Sequence, residues 1–447
     1  MKFDSLNYSV VTHRPQDGTN RKLSIVLSFL ALWAPFANAL DLRQIVETAV
    51  AAHPSIQAQR ALREGAQNDV TTARQQFWPT PSVSIETVRT GPNDISYQDN
   101  ATVQTYRLQQ PLWTGGRLTA GLDKAQANLK AAGHAHDETA QQLALRAVQA
   151  WAEWYATSLK LGAIDTSLNT HQRLYAQVQR RVEDGASAAV ELVLTEGRLA
   201  QNSSQKAAAL AQLEASRLKV GQLMGAPVAP FEKPTQSLRF DAPVLDQSEA
   251  AALQRAPALQ RQAALVDAQK AELAERQSEL WPEIYIRAEH QRGQLGGGAL
   301  SSGSVSRYYL GLSSRFGAGL SSITALESLQ RKLEAAEAEI EATRRNVREQ
   351  VQTDWQQWTS LRARLPELER SVQASRKTAE AWDRQFLAGR KSWMEVMNTA
   401  RELLQAELEL ADARSAYTQA TWRLAIQSLG WQETLKLSNA ISQASPQ

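Results

Sequence analysis

The sequence predicts a mainly α-helical chain with a small β part, built from a duplicated unit of long coiled-coil helices and two β-hairpins. Three observations carry that prediction. An internal repeat keeps a fixed offset, an apolar period of 3.5 residues runs through each copy, and each copy has two short alternating stretches flanking a Gly-rich loop.

The repeat is anchored by prolines. His53-Pro54 recurs as Ala256-Pro257 and Trp78-Pro79 as Trp281-Pro282, an offset of 203 residues. Tyr106 aligns with Tyr309 and Gly116 with Gly319 at the same spacing. Two proline-containing motifs held in register over this distance point to one structural unit present twice.

The elements follow in order. Residues 1–39 read as a leader and signal peptide: Arg21-Lys22, an apolar run from Leu23 to Trp33, then Ala37-Asn38-Ala39 as the cleavage site. Residues 1–20 read as an extended leader or an upstream start codon. The first repeat spans 40–226 and opens with a helical segment, 42–77, that stops at Trp78-Pro79, because proline disfavours helix in the residue before it. A hairpin over 82–110 follows, with its loop at Gly91-Pro92-Asn93-Asp94. A long helix over 116–182, a turn at Glu183-Asp184-Gly185 and a return helix over 189–223 complete the copy.

A connector over 227–247 carries Pro227, Pro230, Pro234 and Pro243 and is expected on the surface. The second repeat spans 248–430: a helical segment 248–280, a hairpin 283–314 around Gly296-Gly297-Gly298, a long helix 319–386 and a return helix 393–429. Residues 431–447 form a C-terminal tail.

The long helices carry the strongest periodicity. From Leu143 through Trp154, Leu161, Leu168 and His171 to Val182, seam positions step by four and three. Val347 through Trp358, Leu365 and Val372 to Phe386 repeat the steps at an offset of 204, one residue more than the prolines give. This is a left-handed coiled-coil seam, and ~67 residues at ~1.5 Å each give a helix of ~100 Å. Pro366 is expected to kink or break the second long helix; Gly162 lies in the counterpart region.

Composition narrows the function. The chain has 447 residues and no cysteine, which removes disulfides, thiolate metal sites, thiol catalysis and an acyl anchor on an N-terminal cysteine. The net charge is +3, of which the leader supplies +2 (Lys2, Arg14, Arg21 and Lys22 against Asp4 and Asp17), so no electrostatic case for nucleic acid remains. No apolar run after the leader is long enough for a transmembrane helix. His134 and His136 stand two apart on a helix, which does not put them on one face for a metal. Gly115-Gly116 reads as a strand-to-helix corner, because no phosphate-loop pattern follows it. No nucleophile elbow or zinc motif occurs, and no enzyme, cofactor or metal site is expected.

Two hairpins supply four strands, too few to close a barrel, and open sheet edges are not tolerated in lipid. Membrane insertion therefore needs several chains: two give eight strands and three give twelve, enough for a lumen. Val83 and Ile85 share one face of the first hairpin, and Ile284, Ile286 and Ala288 one face of the second. In the second strands the offset aligns Tyr106 and Leu108 with Tyr309 and Gly311, whereas the clearer apolar face is Tyr308, Leu310 and Leu312; a bulge in one copy would account for this.

The sequence of parts, with Gln110-Pro111-Leu112-Trp113-Thr114-Gly115-Gly116-Arg117 after the first hairpin and Glu395-Val396-Met397-Asn398 entering the last return helix, resembles the TolC family of outer-membrane channel proteins across the whole chain after the leader. The resemblance implies a homotrimer in outer-membrane lipid, with a twelve-stranded barrel, an α-helical tunnel through the periplasm, and docking of a periplasmic adaptor and an inner-membrane transporter. It also implies a constriction with two acidic rings, matched here by Glu395 and by the neutral Asn398, and gate-holding contacts at Lys391, Phe386 and, from the other copy, Glu191. Three Glu395 carboxylates would attract cations, and a Lys391–Glu191 link is one expected contact. The function implied is a passive exit duct. The run Leu108–Arg117 leans it to type I protein secretion, for instance of a large adhesin, with an ABC-type transporter. Small-molecule efflux is the alternative within that class, and a non-channel periplasmic coiled-coil adaptor or scaffold the alternative outside it.

Overall fold

A computed structural model describes residues 40–88, 101–229, 234–235, 238, 240–293, 303–314 and 321–444. The expected leader and both expected hairpin loops lie outside the described residues. The elements run β1 (Leu40–Asp41), α1 (Leu42–Ala52), α2 (Pro54–Gln75), β2 (Thr80–Val88), β3 (Ala101–Trp113), α3 (Arg117–Glu183) and α4 (Ala189–Met224). They continue as β4 (Pro234–Thr235), α5 (Leu245–Arg255), α6 (Pro257–Ser278), β5 (Glu283–Gly293), β6 (Gly303–Ser313), α7 (Ser321–Leu387), α8 (Trp393–Leu429) and α9 (Trp431–Ala444). The protein is mostly helical with a small sheet.

Several expectations change. The leading helical segments are each two helices, α1–α2 and α5–α6, broken at His53-Pro54 and Ala256-Pro257. Proline starts a helix well at its first position, where its missing N–H has no partner to lose, so each motif ends one helix and begins the next. The connector does not simply lie on the surface: β4 pairs in parallel with β1, and Val228 and Leu238 are buried. The C-terminal tail contains a helix, α9, with Leu435, Thr434 and Ser438 buried. Pro366 does not break α7, which is helical from Ser321 to Leu387. The proline removes one i to i−4 hydrogen bond, but α8 pairs with α7 on both sides of it, Glu409 with Arg364 at 2.9 Å and Arg414 with Glu369 at 2.7 Å.

The offset moves from 203 to 204 inside the hairpin rather than after it. Pro54 and Pro257 start α2 and α6, and Thr80 and Glu283 start β2 and β5, both 203 apart. Val83 pairs with Tyr106, and Ile286 pairs with Leu310. Val83 and Ile286 are 203 apart, but their partners are 204 apart. Tyr106 therefore corresponds to Leu310, not Tyr309, and Leu108 to Leu312. No bulge is needed to align the second strands. The register shift that β3 does show falls between Pro111 and Trp113, at its pairing with β5.

The main core gathers α1, the middle of α3, the end of α4, the connector and the end of α8. Trp151, Trp154, Trp422, Leu42 and Ile45 are its largest fully buried side chains. A second cluster, Leu174, Val178, Phe386, Trp393, Val396 and Met397, closes the far ends of α3, α7 and α8.

Candidate functional site

Two places concentrate chemistry: the sheet and the turn ends of the long helices. The sheet is antiparallel with order β2-β3-β5-β6, so β3 and β5 join the hairpins while β2 and β6 remain edges. Residues paired across an antiparallel ladder share a face. The row Val83, Tyr106, His290, Ser306 and the row Pro81, Leu108, Ala288, Tyr308 therefore fall on one side. Ile85, Ile286, Leu310 and Leu312 join them there, and all these large apolar side chains are exposed, Tyr308 by 83% and Leu310 by 76%.

The opposite face is polar. Glu289 is buried between Arg107 at 3.5 Å and Arg287 at 3.7 Å, Arg307 donates to Gln291 at 2.7 Å, and the Arg287 guanidinium lies 4.4 Å from the Tyr309 ring centroid. An apolar band on one face and paired charges on the other is the pattern of a strand set with lipid outside and water inside. At the strand-to-helix corner Gly116 has φ +95° and caps α3, while a Cβ on Gly115 would lie 2.7 Å from the Trp281 side chain, so the corner requires glycine. Trp113 and Trp281 meet edge to face there, 6.5 Å apart.

At the other end, both long helices turn through a glycine in the left-handed region, Gly185 (φ +72°) and Gly389 (φ +71°). Ser392 caps α8 in a capping box: its hydroxyl accepts from the Glu395 amide, and its own amide donates to the Glu395 carboxylate at 3.0 Å. Lys391 Nζ donates to the other carboxylate oxygen at 2.7 Å and sits 4.2 Å from the Trp382 ring centroid. The Lys391 hydrogen bond, then those from the Ser392 amide and hydroxyl, pull the Glu395 carboxyl down to about 2.

Phe386 is buried, and Arg181 from the first copy covers its ring at 4.8 Å and donates to its carbonyl at 3.3 Å. Glu191 stands in the first turn of α4. The expected Lys391–Glu191 link is not the one formed. Lys391 pairs with Glu395 one turn on, where the capping box already holds the carboxylate. Asn398 is exposed and lines a groove between α4 and α8 floored by His171 of α3. The structure thus brings Lys391, Glu395 and Phe386 to one end and joins the copies through Arg181 rather than Glu191.

Sequence reasoning missed Ser392, Arg181 and Trp382. The Ser-x-x-Glu spacing was visible as a capping box, and Trp382 stood at a step of the second long helix's seam without its contact to Lys391 being legible; the arginine carried no local signal.

A family model described as "Outer membrane efflux protein" matches residues 45–226 and 250–430. No curated protein matches the sequence. Among solved structures the chain is similar to the outer membrane protein VceC of Vibrio cholerae, at 15% identity and a TM-score of 0.76, covering 87% of this chain and 96% of that one. It is similar to the Campylobacter jejuni CmeC outer membrane channel at 13% identity and a TM-score of 0.75, covering 98% of each. The open-state Neisseria gonorrhoeae MtrE outer membrane channel is similar at 13% identity and a TM-score of 0.73, with 87% and 88% covered. With both copies of the repeat matched over most of the chain, the protein belongs to the outer membrane efflux protein family, a family of TolC-like channels rather than enzymes.

Proposed function

We propose that three copies of this chain close one twelve-stranded barrel in the outer membrane, continue it as an α-helical tunnel into the periplasm, and serve as the passive exit duct of a tripartite export system. The carrying observation is the sheet: one exposed apolar face, one charged face, and two unpaired edge strands in a four-stranded piece. Open edges cannot persist in lipid, so β2 of one copy pairing with β6 of the next satisfies both, and three copies leave a lumen. An adaptor and an energised inner-membrane transporter would then drive and open the duct.

For the substrate, the family match favours small-molecule efflux. Type I protein secretion through an ABC-type transporter rests on the run Leu108–Arg117. Deleting the gene and measuring both a secreted repeat protein and drug susceptibility separates the two. Fractionation tests the duct itself: a heat-modifiable trimer in the outer membrane is expected, and a soluble monomer in the periplasm would exclude it in favour of a coiled-coil scaffold.

Glu395 and Asn398 are assigned to the narrowest ring, with Lys391, Phe386 and Glu191 as the contacts holding it. Glu395→Ala is expected to change single-channel ion selectivity and multivalent-cation block. Unchanged values for both would remove the assignment.

A further inference from the structure

The chain already contains one junction between the copies of its repeat. β3 pairs with β5, and α3 packs against α6 beside it, so the first copy meets the second along strand and helix alike. Among the described residues four ion pairs bridge that junction: Arg107–Glu289, Arg117–Glu283, Lys124–Glu275 and Arg261–Glu138. The outer sides of the copies have no such neighbour. β2 and β6 are edges, and α7 packs against α6 but makes no comparable contact with α2. The repeat carries each junction pair onto those open sides, at 204 residues from β3 and α3 and 203 from β5 and α6. Arg117 and Glu283 become Ser321 and Thr80, Lys124 and Glu275 become Ser328 and Thr72, and Arg261 and Glu138 become Ala58 and Ala342. In each case both charges are gone together, and all six replacements are exposed. Loss of one partner alone would leave a charge unmatched in a contact. Joint loss is what an uncharged version of the same contact requires. Ala131 and Ala268, one heptad from these ion pairs, are buried, while their counterparts Ala335 and Gly65 are exposed. A Cβ at Gly65 meets nothing within 4 Å.

The sheet sets the register residue by residue. In the internal junction Leu108 lies opposite Ala288, Arg107 opposite Glu289 and Tyr106 opposite His290. The same offsets set Leu312 of β6 opposite Ile85 of β2, Gly311 opposite Glu86, and Leu310 opposite Thr87. Leu312 and Ile85 are 68% and 66% exposed and belong to the same apolar face. A slip of one residue would set Leu312 against Ser84 or Glu86 and cross the two faces. Gly311 and Glu86 are the exception to joint loss, because Arg107 becomes glycine while Glu289 remains an acid. The structure places another donor there. With no side chain on Gly311, the Tyr285 ring of the adjoining β5 lies across it, and a Cβ would come 2.6 Å from the Tyr285 hydroxyl. Among the described residues Glu86 has no ion-pair partner. We propose that copies of this chain join by repeating their internal junction: β6 and α7 of one copy meet β2 and α2 of the next, with Leu312 opposite Ile85, Ala335 level with Gly65, and Tyr285 donating to Glu86 of the next copy. This rests on the barrel reading above and names the two surfaces that close the ring. A head-to-tail contact of this kind uses two different surfaces of each chain and closes when the rotation completes a circle.

Cysteine pairs test the register, since the chain has no thiol of its own. In the full-length protein in outer membranes, Ile85→Cys with Leu312→Cys should convert most of the chain to covalent dimer and trimer on mild oxidation. Gly65→Cys with Ala335→Cys should do the same, and each single variant should run as a monomer on a denaturing gel. Ile85→Cys with Leu310→Cys, a slip of two residues that keeps the faces but lengthens the span to a diagonal, should cross-link severalfold less. Glu86→Gln and Tyr285→Phe should each lower the temperature at which the trimer band dissociates, and the double variant should lose no more than the larger single loss. A normal heat-modifiable trimer with no cross-link at either pair, or with Leu310 preferred over Leu312, overturns the register and leaves the barrel intact. Additive losses overturn the Tyr285–Glu86 contact. Absence of any trimer from the natural protein in the outer membrane overturns the barrel reading itself.

Discussion

Helices α3 and α7 are both 67 residues long and share the same four-and-three stepping, yet α3 buries twenty residues and α7 only seven. The difference is one of neighbours. α3 packs against α1, α2, α4, α6 and α8, whereas α7 packs against α5, α6 and α8. Periodicity fixes which face a helix offers, and topology decides how many partners accept it. The long helix of the first copy runs through the main core, which α1, α4 and the end of α8 complete. The second presents a long helix at the margin, which supports the reading of one chain as a segment of a larger ring.

The aligned tryptophans offer the largest way to break this comparison. Trp151 is fully buried and stacks on Tyr155 at 4.8 Å, while its counterpart 204 residues on, Trp355, is half-buried and donates its Nε1 to the Pro243 carbonyl at 3.1 Å. Trp151→Ala should cost about 4 kcal/mol, mostly as a cavity. Trp355→Ala should cost about 1 kcal/mol. Denaturant midpoints of the two variants give the ratio. Equal losses would mean that α7 is as deeply packed as α3 and that the marginal position assigned to it is wrong.

The same contrast explains what the sequence could reveal. Trp78-Pro79 and Trp281-Pro282 mark helix ends through local sterics, and the seam from Leu143 to Val182 records which side of α3 is buried, so both were legible. The β3–β5 pairing was not, because it joins strands that lie far apart in sequence and depends on no turn. Burial of Val228 and Leu238 was also hidden, since two apolar residues among prolines carry no period. At the turn ends, Ser392 and Glu395 were readable as a capping box and Lys391 as an i,i+4 partner of Glu395. The groove that Arg198, Asn398 and Arg401 line was not readable, because its residues come from both copies.

Asp354 gives the next largest test. It is buried in the α7 seam, accepts from Arg423 Nε at 3.2 Å and from Gln427 Nε2 at 2.7 Å, and its counterpart in α3 is the fully buried Ala150. Asp354→Ala should cost roughly 2 kcal/mol by leaving Arg423 unpaired, at the low side for a buried pair because the Arg423 side chain is 24% exposed. Asp354→Leu with Arg423→Leu should recover part of that loss. A double variant as unstable as the single would show that Arg423 makes no contribution through Asp354.

Pro366 and Gly162 stand at the same height of the two long helices, 204 residues apart. Both weaken a helix interior, the proline by a lost hydrogen bond and the glycine by backbone entropy. Pro366→Ala should raise stability by between about 1 and 2 kcal/mol, and Gly162→Ala by under about 1 kcal/mol. A Cβ at Gly162 meets nothing within 4 Å, so no clash offsets that gain. Thermal midpoints of the two variants measure the ranking. A loss in either would show that the weak point is held by packing that the substitution disturbs.

The smallest expected effect separates the copies by protonation. His171 is buried in the first copy at the seam position where the second has Ser375. Its Nδ1 lies 2.8 Å from the Ser167 carbonyl, and Ser167 in turn donates to Asn202 of α4 at 3.1 Å. Burial is the main force lowering the His171 pKa; the Ser167 carbonyl opposes it and Arg198 of α4 adds to it. Arg401 of α8 lines the same groove, and no carboxylate there favours the imidazolium. The folded state therefore prefers the neutral ring, while the unfolded chain takes up its proton near pH ~6.5. The stability this supplies is complete above that pH and is lost as pH falls through it toward the lower folded value. Hydrogen exchange in the α3–α4 arm should accelerate between pH ~7 and ~5 relative to the α7–α8 arm, and His171→Gln should remove the difference. Acceleration of both arms together in the natural protein would place the acid response elsewhere, because Ser375 has no proton to gain.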